Sequence, residues 1–144
     1  MKVGFTGTQV GMKPLQLGKL YNTMKYSGMV EFHHGDCIGA DEEAHGLIER
    51  PVVIVIHPPL KGDKRAYCMG ADFFRRPKEY IARNRDIVDE TEILLAAPKG
   101  MTEEPRGGTW STIRYARRLG RPVIIHWPDG TVTAESGNPA NGKL

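Results

Sequence analysis

Five apolar runs mark the chain, at residues 3–6, 30–34, 52–57, 93–97 and 123–127. Most are continuous rather than alternating and rich in Val and Ile, which predicts strands buried on both faces, as in a parallel sheet covered by helices. Helix-like segments lie between them at 14–26, 40–49, 78–89 and 109–119. This alternation predicts a single doubly wound, Rossmann-like α/β domain with a mainly parallel sheet of about five strands. The stretch Leu119-Gly120-Arg121-Pro122 sets the clearest boundary, with a glycine past a helix end and a proline before the next strand. Residues 1–128 are expected to form the domain. The remainder, 129–144, is rich in Gly, Asn and small residues and is expected to form a turn and then fray. The long connection 57–77 carries Pro58-Pro59, mixed charges and Phe73-Phe74, and a loop of that length suggests a lid.

A chain of 144 residues is large enough to bury a core without disulfides or metals. Cys37 and Cys68 match no metal or redox spacing, which suits reduced thiols. The start runs directly into a strand-like segment, with no signal peptide or transmembrane pattern, so a cytoplasmic location without membrane contact is expected. The net charge of +3 is too small to argue for nucleic acid, but its distribution is uneven. Residues 31–49 hold six acids and neither Lys nor Arg, whereas residues 106–121 hold five arginines and no acid.

In an open α/β sheet, ligands bind outside the carboxyl ends of the strands, near the point where strand order reverses. Three polar, glycine-containing loops fall at such ends. The first is Thr6-Gly7-Thr8-Gln9, and the second is Gly35-Asp36-Cys37-Ile38-Gly39-Ala40-Asp41. The third leads into Arg106-Gly107-Gly108-Thr109-Trp110-Ser111-Thr112, where a helix N-terminus offers backbone N–H groups and a favourable dipole to a phosphate. The same heptapeptide reads equally as a glycine turn with a Ser or Thr cap. Gly4, Gly7 and Gly11 lack the G-x-G-x-x-G spacing, which disfavours NAD; no cofactor is expected.

Asp36 is placed to accept a hydrogen bond from a ribose hydroxyl, or to close an Asx-turn or cap a helix. Arg83, beside Asn84, either reaches a phosphate or lies on a solvated helix face. Asp41 and His45, four apart on a helix and near His33 and His34, have no tight two-His motif, so a metal is not expected. Arg114, Arg117, Arg118 and Arg121 share one helix side, open to solvent, a second subunit or nucleic acid.

Taken together and in order, Thr6-Gly7-Thr8, the run from Gly35 to His45, Arg83-Asn84 and Gly107-Gly108-Thr109 resemble the SLOG superfamily. These are Rossmann-like domains named for the DprA/Smf and Lonely Guy proteins, and the YspA/YpsA-like branch is the nearest in pattern. The resemblance spans about residues 2–127, and its Gly39-Ala40-Asp41-x-x-Ala44-His45 element also looks like one in DprA. It implies a nucleotide or nucleotide-derived ligand, with phosphate at Gly107, Gly108 and Thr109. It places the sugar and base among Thr6, Gly7, Thr8, Gly35, Asp36, Gly39, Ala40 and Asp41, with Arg83 and Asn84 also binding, and it implies homo-oligomers. Lonely Guy members hydrolyse N-glycosidic bonds with a Glu three residues after the Thr of P-G-G-x-G-T-x-x-E. Here that position is Thr112, and the leading Pro is Arg106.

A placed carboxylate is what such hydrolysis needs, so its replacement favours capture over cleavage. Asp36 and Glu42, with Arg83 orienting the phosphate, are the candidates for any residual catalysis; Glu103 and Glu104 are further carboxylates. Binding of a nucleotide is therefore the first expectation, N-glycosidic hydrolysis of a nucleoside monophosphate the second, and single-stranded nucleic acid the third.

Overall fold

The computed structural model describes residues 1–137. The five apolar runs become β1 (Lys2–Gly7), β2 (Glu31–His34), β3 (Val53–Ile56), β5 (Ile93–Ala97) and β6 (Val123–His126). A short β4 (Phe73–Phe74) and β7 (Val132–Glu135) extend them, and the sheet has seven strands rather than five, in the order β4-β3-β2-β1-β5-β6-β7. All neighbours pair in parallel except β6 and β7.

Four helices cover the sheet: α1 (Pro14–Tyr26), α2 (Ala40–Leu47), α3 (Tyr80–Asp89) and α4 (Gly108–Arg118). One core joins Leu20 and Met24 of α1 and Ala40 and Ala44 of α2 to Val3, Phe5, Phe32 and Leu95. The other joins Val88 of α3 and Trp110, Ile113 and Ala116 of α4 to Leu94, Ala96, Val123 and Ile125. Strands sandwiched this way need apolar residues on both faces, hence the unbroken runs. Buried Gln16 ties α1 to the sheet by donating from one amide nitrogen to the Pro98 and His126 carbonyls.

The two added strands show what the pattern concealed. β7 alternates apolar and polar residues and is largely exposed, pairing antiparallel with β6 through a turn in which Gly130 donates to the Trp127 carbonyl. The expected tail thus begins as an edge strand; the rest of it, residues 138–144, lies outside the described residues. β4 is two residues long, too short for any period to register. The helix stop after residue 118 follows the expected form: Gly120 is left-handed (φ +74°), and the amides of Gly120 and Arg121 donate back to the Arg117 and Ala116 carbonyls.

Chain order reverses between β1 and β5, since β2 and β3 lie to one side of β1 and β5 and β6 to the other. The carboxyl ends of these two central strands therefore open a crevice.

Candidate functional site

A cleft of about 780 Å³ lies at this reversal, within the size range of small-molecule sites. Of the residues expected to bind ligand, Thr6, Gly7, Thr8, Gly35, Asp41, Arg83, Asn84, Gly107, Gly108 and Thr109 line it. The loops after β1 and β2, the start of α3 and the first turn of α4 converge there.

At one end is α4. Its N-cap, Gly107, sits at φ +107°, a conformation L side chains rarely adopt, and no side chain among the described residues caps the turn. The first amides of a helix have no intrahelical partner, so this turn presents donors and the positive end of the dipole to the cleft. Thr112 is buried, and its hydroxyl donates to the Gly108 carbonyl at 2.7 Å.

Arg83 forms the floor. It is buried, at 4% exposure, and its planar head is held on several sides. Nη1 donates to the carbonyls of Gly35 and His57, Nε donates to Asn84 Oδ1 at 2.6 Å, and Nη2 lies 3.6 Å from Cys37 Sγ. Tyr80 stacks on it at 5.4 Å. Among the described residues Arg83 forms no ion pair. A buried guanidinium balanced chiefly by carbonyls leaves the floor electropositive. A solvated helix face is thus excluded: Arg83 is a fixed base beneath the cleft.

Asp41, in the first turn of α2, is also buried and opens on the cleft. Its Oδ2 accepts from the Cys37 amide at 3.2 Å. Burial pushes its carboxyl up to about 6, although Arg83 and the amides of Cys37 and Gly35 favour the charged form.

Four expected residues are placed elsewhere. The carboxylate of Asp36 is fully buried and faces away, accepting from Arg65 Nε at 2.8 Å and the Cys68 amide at 2.9 Å. Burial opposes its charge, but those donors win, and its carboxyl lies below the usual range. A ribose contact, the Asx-turn and the helix cap all give way to this cross-link to the 57–77 connection. Gly39 and Ala40 form the seam between the first two loops. The Ala40 amide donates to the Thr8 carbonyl at 2.9 Å, and a Cβ on Gly39 (φ +86°) would collide with the Gln9 carbonyl. Glu42 is exposed on α2 and lines no part of the cleft.

Several lining residues carried no clear signal. Asp63 and Lys64 come from the 57–77 connection, which is bonded to the β2–α2 loop through Ile38 N to Lys64 O and Ala66 N to Asp36 O. It therefore forms a wall rather than a free lid. Lys99, Arg106 and Glu104 also line the cleft, Glu104 beside the α4 turn. Lys99 was detectable from its place just beyond a strand end; Lys64 was not.

The arginine stripe is mostly spent within the chain. Arg117 pairs with Glu135 and Glu103, Arg114 bonds Glu103 and the carbonyls of Glu104 and Pro105, and Arg121 donates to the Thr91 carbonyl. The contacts to Glu103, Glu104 and Pro105 hold the loop that enters the α4 turn.

Two groups bring three potential metal ligands within 4.8 Å of one another: His34, His45 and Cys68, and His33, His57 and Glu90. In the first, the Asp36 amide donates to His34 Nδ1, so His34 Nε2 carries the proton that reaches His45 Nδ1 at 2.8 Å; His45 Nε2 then donates to the Met69 carbonyl. The hydrogen bonds use both nitrogens of each ring. In the second, Glu31 accepts from His33 Nε2, and His33 Nδ1 meets His57 Nε2 at 2.8 Å, which leaves the buried His57 Nδ1 without a hydrogen-bond partner among the described residues, 3.9 Å from Glu90. Neither group opens on the cleft.

No helix among the described residues is long and apolar enough to cross a membrane. No protein-family model matches the chain, and no curated protein matches it by sequence. Two solved structures are similar in fold. One is the molybdenum cofactor binding protein from the phototrophic bacterium Rippkaea orientalis, 19% identical, covering 87% of this chain and 76% of its own, at a TM-score of 0.64. The other is TM1055, known from a structural-genomics X-ray structure, 19% identical over 85% of this chain and 72% of its own, at a TM-score of 0.61.

Proposed function

We propose that the cleft captures a nucleotide or nucleotide-derived phosphate ester, with its phosphate on the first turn of α4 and its sugar and base along the β1 and β2 loops. One observation carries this reading: the uncapped Gly107–Gly108 turn and the buried, unpaired Arg83 face the same cleft. A helix N-terminus draws anions, and a fixed guanidinium in a poorly solvated floor strengthens that attraction. Lys64, Lys99 and Arg106 add positive charge along the cleft, against Asp41, Asp63 and Glu104. The resemblance to SLOG proteins supports the reading, as does the ligand named for the Rippkaea orientalis protein, which makes the molybdenum cofactor a candidate alongside nucleotides. Homo-oligomers, implied by that resemblance, belong to the same proposal and are read by light scattering.

Thermal-shift and calorimetric screening against mononucleotides, cyclic nucleotides, ADP-ribose derivatives and molybdenum cofactor tests capture. Saturable stabilisation by phosphorylated compounds, lost on Gly107→Val, is the expected result; no stabilisation by any of them overturns it.

Glu104 favours a second reading, hydrolysis of the N-glycosidic bond, because it places a carboxylate at the cleft beside the α4 turn. Release of free base from a nucleotide panel, abolished by Glu104→Gln, is its test, and intact nucleotide after prolonged incubation rules it out.

A further inference from the structure

The polar groups of the cleft floor stand in a fixed order. A Cβ on Gly108 would lie 3.6 Å from Asn84 Nδ2, and Asn84 Oδ1 accepts from Arg83 Nε. Arg83 Nη2 reaches Cys37 Sγ, and the Cys37 amide donates to Asp41 Oδ2. The row thus runs from the α4 turn through Asn84, Arg83 and Cys37 to Asp41. The donor-rich α4 turn and the acceptor Asp41 are the two termini of this series of contacts.

We propose that Asp41 reads the far end of the ligand, accepting hydrogen bonds from ring and exocyclic N–H groups, so that the cleft selects a phosphorylated compound with a donor edge of the guanine kind. This rests on the phosphate reading above and adds the identity of the other end.

Three features favour that edge. An ionised carboxylate is an acceptor only, and its two oxygens match two parallel N–H donors. A neutral donor edge suits the site better than an ammonium group, because Arg83 lies close enough to influence Asp41 electrostatically. Asp41 differs from the other cleft carboxylates, Asp63 being exposed and Glu104 half-buried. Burying a carboxylate is costly, and an Asn would accept the same Cys37 amide without that cost. The charge therefore has its use in an interaction that a ligand completes, in the way that functional groups reduce stability at binding sites.

Calorimetry with GMP, IMP, AMP and ribose 5-phosphate, on the intact chain and on Asp41→Asn, tests the proposal. The intact chain is expected to bind GMP at least about tenfold more tightly than ribose 5-phosphate, as loss of hydrogen bonds to a charged group predicts, with IMP intermediate and AMP close to the sugar phosphate. Asp41→Asn is expected to keep ribose 5-phosphate binding and to lower GMP to the same level. Equal binding of GMP and ribose 5-phosphate by the intact chain overturns the proposal while leaving the phosphate reading in place, and so does a GMP preference retained by a folded Asp41→Asn. Failure of every compound, ribose 5-phosphate included, overturns both. Should the variant not fold, the ligand series on the intact chain decides alone.

Discussion

The two sides of the loop between β2 and α2 place a buried carboxylate in opposite circumstances. On the outer side, Asp36 meets Arg65 and the Cys68 amide and is held in its charged form. On the cleft side, Asp41 is also buried but is left with backbone amides and a more distant Arg83, and its carboxyl rises to about 6. Only five positions separate them, and both looked equally polar and equally available in the sequence. Burial opposes the charge of each; the partners then decide whether the charge holds the fold together or strains it. The first acid is a cross-link and the second a site.

Substitution sharpens the contrast by its sign. Asp36→Ala leaves Arg65 without its partner and removes the acceptor from the Cys68 amide, and a loss of about 3 kcal/mol is expected in denaturant unfolding, as for other broken buried pairs. Because the folded carboxyl lies below its ordinary 3.8, the charge-dependent part of that stabilisation is present above this value and is lost as pH falls through the lower folded one. Asp41→Asn runs the other way. An acid whose folded value is raised to about 6 from 3.8 weakens the fold most above that range. The variant is therefore expected to gain up to about 3 kcal/mol near neutral pH and nothing below about pH 4, read from melting temperatures across pH. A loss of stability at neutral pH would contradict this assignment.

Smaller effects bound the comparison. Arg114→Ala frees the Glu104 and Pro105 carbonyls that set the entry to the α4 turn, with an expected cost of about 1 kcal/mol and a few-fold weaker binding of ribose 5-phosphate. Glu42→Gln, on the exposed side of α2, is expected to change stability by less than about 0.5 kcal/mol and binding not at all. A clear binding defect there would mean that the site extends beyond the cleft.

The positions of the strands, and so of the loops at their ends, were legible because burial on both faces demands long apolar runs. That alone placed Thr6, Gly35 and Gly107 near one another. β4 and β7 escaped because one is two residues long and the other is an exposed edge whose alternation resembles an ordinary tail. The site was legible as loops but not as side-chain directions. Whether Asp36 or Asp41 faces the cleft depends on the left-handed turn at Asp36 (φ +57°) and on Arg65, which is distant in sequence. The arginine stripe misled similarly, because helical spacing shows that guanidinium groups share a face but not that Glu103 and Glu135 meet them there.

Nitrogen–proton correlation spectra during titration with ribose 5-phosphate test most directly the claim that the first turn of α4 is the anion cradle. Saturable shifts concentrated in the amides of Gly107, Gly108 and Thr109, with smaller ones in the Arg83 side chain of the cleft floor, are the predicted result. Unmoved amides there, at concentrations that shift or saturate others, would contradict it.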